Sequence, residues 1–169
     1  MNLSNIVGSG FIAKSFKNKN NFFKKKKCIL YAAGVSNSNC KDLELYKKDF
    51  KRLKFKINSL NHNKLIYLSS CSVADKSRNK SLYLKSKIKN ENYIKKNCKK
   101  YLIIRLPEII GKNKNKHTLV NYFYYKIKNK EKINLYKNAK RNFMYIYDIL
   151  EILVELINKN ISNKIINIA

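Results

Sequence analysis

The chain has 169 residues, of which 44% are hydrophobic, enough for one compact domain with a real core and too many for a disordered segment. Its formal charge of +28 would ordinarily point to a polyanionic partner, yet 34 of the 38 basic residues are lysine and only four arginine. Arginine is the side chain suited to bidentate recognition of phosphate and guanine, so nucleic acid is not the expected partner. Cys28, Cys40, Cys71 and Cys98 show no C-x-x-C spacing and only His62 and His117 stand beside them, so neither a metal site nor a disulfide framework is expected. Free thiols fit a reducing cytoplasm, and no apolar run reaches the length of a membrane span.

The segment "LSNIV" (3–7) reads as a strand that meets "GSGFIAKSF", a tight turn passing into a helix. "KNKNNFFKKKK" (17–27) reads as a polar, basic connection. "CILYAAG" (28–34) is apolar throughout and reads as a buried strand. Over residues 40–60 the spacing of Leu43, Tyr46, Phe50, Leu53 and Ile57 places them on one face of a helix. "LIYLSS" (65–70) is a second buried strand, residues 81–98 a second long helix, and "YLIIRLP" a third strand closed by Pro107, where pairing should stop. Beyond it come a helix near 117–129, strand-like "INLY" (133–136) and "FMYIY" (143–147), a helix over 148–159 with Asp148 as N-cap, and a last strand, "KIINIA". Apolar strands alternating with helices predict an α/β fold, a Rossmann-like doubly wound parallel sheet in one domain over 1–169, with a minimal substrate-binding portion near 108–169.

"VGSGFIA" after the first strand fits the G-x-G-x-x-A form of the dinucleotide fingerprint. In it Gly8 allows the tight turn, Gly10 lets the backbone approach a pyrophosphate, and Ala13 lets the helix pack on the strand. Glycine turns between strand and helix are common for purely structural reasons, but two of the chain's only four glycines fall here. The acidic residue that usually follows about 20 positions on is missing, since no Asp or Glu precedes Asp42. Lys24–Lys27 occupy that place, either as a solvated basic loop or as partners of a 2′-phosphate, so the cofactor form, NAD or NADP(H), stays open.

Tyrosine four places before lysine occurs four times, starting at Tyr83, Tyr122, Tyr124 and Tyr136, so the spacing alone selects nothing. Position does. Ser70 ends a predicted buried strand, where open α/β sheets bind ligands, and Tyr83 and Lys87 follow one turn apart on the next helix, sharing a face.

These segments, "GSGFIA", "ILYAAG", "YLSSCSV", "YLKSK", "IIRLPEIIGK" and "RNFMYIYDI", occur in the order found in the short-chain dehydrogenase/reductase superfamily. The chain resembles its extended or atypical branch, the NAD-dependent epimerases, dehydratases and reductases that modify nucleotide sugars. The resemblance implies that Ser70 polarises a carbonyl or alcohol, that Tyr83 transfers the proton, and that Lys87 binds the nicotinamide ribose and favours the phenolate. It implies cofactor contacts at Gly8, Ser9, Gly10, Phe11, Ile12 and Ala13, at Ala32, Ala33 and Gly34, and at Pro107, Glu108 and Ile109, although Pro107 could equally just end a strand. Asn121 and Arg141 are implied substrate contacts, the alternative for Arg141 being a plain surface cation. Cys71 is expected to be a small core residue rather than a nucleophile.

The implied activity is that of an NAD(P)-dependent oxidoreductase or epimerase acting on a nucleotide-activated sugar, in the setting of surface polysaccharide assembly. The alternatives are a degenerate, non-catalytic dinucleotide-binding protein and, less favoured, a basic nucleic-acid binder. Relatives often form homodimers through the helix that carries the tyrosine, a pairing that the lysine density of this helix opposes. Two departures from the pattern stand out: Ala74 occupies the place of a usual tyrosine, and the stretch before "CILYAAG" is too short for the usual second and third βα units.

Overall fold

The computed structural model describes residues 4–74, 81–113, 115–116 and 118–168. Leu3, His117 and Ala169, which the sequence places in or beside elements, lie outside the described residues. In chain order the elements are β1 (Ile6–Val7), α1 (Phe11–Ser15), a 3-10 turn (Lys17–Lys19), α2 (Asn20–Lys25), β2 (Cys28–Tyr31), α3 (Leu43–Asn58), β3 (Lys64–Ser70), a 3-10 turn (Cys71–Ala74), α4 (Leu82–Asn97), β4 (Tyr101–Leu106), β5 (Glu108–Ile110), α5 (Leu119–Lys128), β6 (Phe143–Tyr145), α6 (Ile146–Asn158) and β7 (Lys164–Asn167). Five strands form one parallel sheet in the order β1-β2-β3-β4-β7, and β5 pairs with β6 in a separate parallel pair.

The strands are apolar throughout because both faces of the sheet are covered. Cys28, Leu30, Ile66, Leu68, Leu102, Ile104 and Leu106 pack against Phe16, Phe23, Ile149, Leu153 and Ile157 of the α1–α2 segment and α6. The alternate residues Ile29, Tyr31, Leu65, Tyr67 and Ile103 pack against Leu53, Ile57 and Ile94 of α3 and α4. The period of two along each strand thus builds two cores from three central strands. Each fully buried aliphatic side chain there contributes about 1.5–3 kcal/mol.

Several sequence expectations are corrected. The basic stretch 17–27 is not a plain connection: it folds into a 3-10 turn and α2, because Phe23 is fully buried and its ring stands 6.0 Å from that of Phe16. "INLY" forms no strand, and Leu135 and Tyr136 are exposed with no sheet edge beside them. The last helix begins at Ile146 with Tyr145 as N-cap, which puts Asp148 in its first turn, where it still complements the helix dipole. Pro107 ends pairing in the main sheet, but the chain pairs again at once as β5. On α3 the buried stripe is Tyr46, Asp49, Leu53 and Ile57; Leu43 is exposed and Phe50 half-buried.

Without the second and third βα units, β1 is an edge strand. Its outward groups are satisfied locally, with Ser4 Oγ 3.2 Å from Ile6 N and 3.1 Å from Ile6 O, while Asn20 Oδ1 accepts from Asn5 N at 2.9 Å. A two-residue strand blunted in this way offers little template for pairing with another chain.

The helix that carries Tyr83 and Lys87 is fixed at both ends of its working face. Ser81 Oγ accepts from Leu84 N at 3.2 Å, which starts the helix just before Tyr83. One turn beyond Lys87, buried Glu91 accepts from Ser69 Oγ at 2.6 Å and from Arg105 Nε and Nη2 at 3.0 and 2.7 Å. This carboxylate joins α4 to both β3 and β4. Glu91→Ala is expected to lower the unfolding free energy by about 3 kcal/mol, near the lower bound for a broken buried pair, since Arg105 keeps some solvent. Glu155→Ala removes only the exposed pair with Lys159 and should leave the urea midpoint in place.

Candidate active site

The site begins where β1 ends. Gly8 has φ +133°, and an added Cβ would stand 2.5 Å from Ala32 O and 3.1 Å from Ala33 N, so both its conformation and the close approach of β2 require glycine. Gly10 is different: a Cβ there meets nothing within 4 Å. The fold's own packing does not ask for glycine at this position, which opens onto space in front of α1. No side chain caps α1, leaving its first backbone N–H groups for an outside acceptor. Ala13 is buried, as helix–strand packing demands. The turn therefore fits a dinucleotide diphosphate, with Ser9, Phe11 and Ile12 completing it.

From Gly8 the contact passes along Ala32 and Ala33 to Gly34, and from Gly34 to Lys87. A Cβ on Gly34 would lie 2.8 Å from Lys87 Nζ. Lys87 is only 8% exposed; its ammonium donates to Leu68 O at 3.1 Å and stands 5.2 and 5.7 Å from the ring centroids of Tyr67 and Tyr83. Burial disfavours the charge, but Tyr67, Tyr83 and Asp49 together outweigh it and hold the lysine pKa above its ordinary value. Burial also pushes the Tyr67 phenol up, against the pull of Lys87 and Asn90, so Tyr67 stays protonated near neutrality.

Of the paired serines, Ser69 is committed to Glu91 on the α4 side of the sheet. Ser70, last residue of β3, accepts from Ser72 N at 3.2 Å, and its hydroxyl donates to no partner among the described residues. Tyr83 lines a cavity of about 140 Å³ with Ser38, Asn39, Ser72, Ser81 and Leu84. Sequence reading missed Ser38 and Asn39, which come from the loop after β2 and carry no motif. Burial pushes the Cys71 thiol up and its Sγ donates to Arg105 O at 3.1 Å, in keeping with a packing role.

The other expected residues scatter. Pro107, Glu108 and Ile109 lie at the carboxyl end of β4 and the start of β5, with Glu108 exposed. Asn121 spends its amide on Asn113 O, Asn113 Oδ1 and Asn115 O, each at 3.0 Å, bracing the loop before α5. Arg141 is exposed just before β6. Lys24–Lys27 sit at the amino ends of the strands, where Lys27 O accepts from Lys64 N at the first residue of β3. Gly8 and Gly10 lie at the opposite, carboxyl end, so these lysines are not partners of a 2′-phosphate on a dinucleotide seated there. A larger cavity, about 490 Å³, runs along the free edge of β1 past Ser4, Ile6, Gly8, Ala13, Lys14, Lys17 and Asn20. It touches the glycine turn but not Tyr83. Among the described residues no cluster of His, Cys, Asp and Glu could hold a metal, and no helix is long and apolar enough to cross a membrane.

The two glycines give a direct test. Gly8→Ala is expected to cost about 1–3 kcal/mol of stability from backbone strain and the clash with Ala32. Gly10→Ala should cost under about 1 kcal/mol in the same urea titration. It should nevertheless abolish nicotinamide dinucleotide binding measured by NADH fluorescence.

Known proteins share this fold. No curated protein matches the chain by sequence. UDP-glucuronic acid 4-epimerase from Bacillus cereus, solved with UDP-glucuronic acid and NAD, is similar in structure with a TM-score of 0.72 at 18% identity, over 88% of this chain and 55% of that one. UDP-glucose 4-epimerase from Thermotoga maritima, solved with UDP-glucose, gives 0.68 at 14% identity over 96% and 75%. The capsular polysaccharide assembling protein CapF from Staphylococcus aureus gives 0.63 at 19% identity over 96% and 51%. The chain thus spans about half the length of two of these relatives and three quarters of the third. The description "NAD dependent epimerase/dehydratase family" matches residues 33–169, from the close of β2 to the end of the sequence, and the chain belongs to that family.

Proposed function

We propose that the protein binds a nicotinamide dinucleotide along the carboxyl edge of the sheet and acts on a nucleotide-activated sugar, with Tyr83 as the acid–base group. The observation that carries this is the packing of Lys87 Nζ against Gly34 and over the Tyr83 ring, at the end of a line of contact that starts at the glycine turn. Gly8, Ser9, Gly10, Phe11, Ile12 and Ala13 would hold the diphosphate, and Ala32, Ala33, Gly34, Lys87 and Pro107–Ile109 the nicotinamide half. When bound, the cofactor supplies a hydride acceptor and donor. The chain's own residues do the rest. Ser70 donates a hydrogen bond to the reacting sugar oxygen, Tyr83 takes or returns the proton at that oxygen, and Lys87 binds the nicotinamide ribose and places a fixed positive charge over the Tyr83 ring.

The substrate class rests on family membership and on the nucleotide sugars bound by the epimerases from Bacillus cereus and Thermotoga maritima. CapF supports a place in polysaccharide assembly. Residues 108–169 would contribute the sugar side of a single domain, with Asn121 supporting a loop and Arg141 free to meet a diphosphate. One observation favours a second reading, a dinucleotide-binding protein without turnover: β1 is an edge strand, so the units that would flank an adenosine are absent.

Tyr83→Phe separates the two. It is expected to keep NADH binding within a factor of about two while turnover of UDP-sugars, followed by product chromatography, falls about 10²–10⁴-fold. Undiminished turnover would exclude Tyr83 from proton transfer, and NADH binding by a parent protein that turns over no UDP-sugar would favour the second reading.

A further inference from the structure

Two carboxylates are buried on the helical layer behind the site, and they are held differently. Glu91 has a cation against it in Arg105. Asp49, 5% exposed on α3, has none among the described ion pairs. Its oxygens are held by neutral donors alone: Oδ1 accepts from Tyr31 OH at 2.7 Å and Oδ2 from Asn90 Nδ2 at 3.1 Å. Lys87 is the matching case, a buried ammonium with no carboxylate in contact among the described residues. Both face one spot, for a Cβ added to Gly34 would lie 2.8 Å from Lys87 Nζ and 3.9 Å from Asp49 Oδ2. A buried charge without compensation is costly, and at such a separation across a low-dielectric layer each is the natural compensation of the other.

We propose that Asp49 is a positioning residue for the reaction, a fixed counter-charge across Gly34 that keeps the Lys87 ammonium protonated and aimed at the site. The proposal rests on the function given above, but the link between Asp49 and Lys87 exists whether or not the protein turns over sugar. The groups facing Lys87 are few. Among the described residues they are Asp49 and Tyr46 from α3, Tyr67 from β3 and Tyr83 from its own helix; Tyr31 of β2 joins the set through its hydrogen bond to Asp49, and Arg52 lies one turn on, acting on Tyr31. Phenols are neutral near pH 7 unless perturbed downward, and burial pushes Tyr31, Tyr46 and Tyr67 upward, Tyr46 to about 12. Asp49 is therefore the anion in the set. A purely structural role, tying α3 to β2 through Tyr31, needs only hydrogen bonds and not the charge.

Asp49→Asn separates charge from hydrogen bonding, and the surroundings can accept it. Asn90 Oδ1 is a buried atom without a partner, so turning the Asn90 amide would let that oxygen accept from the amide introduced at position 49 while Tyr31 OH still donates. The readout is the lysine Nζ NMR titration of the full chain, with the Lys87 signal assigned by its loss in Lys87→Met. In the parent protein Lys87 should give up its proton after the exposed lysines, which titrate near about 10.4. In folded Asp49→Asn one of the three groups that together outweigh burial is gone, so Lys87 should titrate below its position in the parent protein by about one pH unit or more. In a protein that turns over sugar, the basic limb of kcat should move down with it while KM for the cofactor changes less than about twofold. If Lys87 in folded Asp49→Asn titrates where it does in the parent protein, the proposal is overturned, whatever the activity. Should Asp49→Asn fail to fold, Asp49→Ser serves with the same readout and the same two outcomes. Absence of turnover in the parent protein would defeat the proposed function and leave the titration to decide the link.

Discussion

A lysine ammonium taken out of water must be stabilised from nearby, and in this chain that requirement at Lys87 organises everything around it. The charge is met by the Leu68 carbonyl, by the faces of Tyr67 and Tyr83, and by Asp49 beyond Gly34. The partners come from β3, α4 and α3, so these elements and the end of β2 have to meet at one point for the lysine to remain buried. The same requirement explains Gly34, because any side chain there would occupy the space of Nζ. It also links the site to the glycine turn, since the residues that bring Gly34 to the lysine, Ala32 and Ala33, are those against which Gly8 packs. The glycine turn and the helix that carries Lys87 are thus joined by three consecutive residues. Glu91 completes the arrangement by tying α4 to the strand end that carries Ser70.

The fold is a narrow form of its family's architecture. Two βα units are missing between α2 and β2, yet the strands that carry Ser70 and Pro107 keep their order, because β2 pairs directly with β1. The consequence falls on one side only. Ser4 and Asn20 close the hydrogen bonding of β1 where further strands would otherwise continue, and the cavity beside it is lined by Lys14 and Lys17 with no acidic residue among the described ones. The surroundings of Lys87, built from β2, β3, α3 and α4, do not depend on further strands beyond β1.

Most of this was legible in the sequence for physical reasons. Strands β2, β3 and β4 are apolar almost throughout since both faces are covered, so "CILY", "KLIYLSS" and "YLIIRL" stand out against a lysine-rich background. The proposed trio, Ser70, Tyr83 and Lys87, could be nominated from the sequence because a serine at a strand end and a Tyr–Lys pair at helical spacing depend on local periodicity alone. What could not be read depends on contacts between distant segments. Helix α2 sets Phe22 and Phe23 between asparagines and lysines; it folds because Phe23 finds Phe16 and the sheet. Asp49 was passed over in favour of Phe50, since hydropathy cannot know that Tyr31 and Asn90, 18 and 41 residues away, would supply its donors. The two readings of Lys24–Lys27 stayed open in the sequence because distance along the chain does not say at which end of the sheet a segment comes to lie. "INLY" has strand-forming residues, yet Leu135 and Tyr136 stay exposed and the segment pairs with no strand among the described residues.

The central claim is that the glycine turn and Lys87 belong to one continuous site, joined through Ala32–Gly34. A crystal structure of the protein with NAD and a nucleoside diphosphate bound tests it most directly. The account predicts the cofactor diphosphate against Gly10, with a nicotinamide ribose hydroxyl within about 3 Å of Lys87 Nζ. A cofactor confined to the groove along β1, with its nicotinamide away from Gly34 and Tyr83, would contradict it.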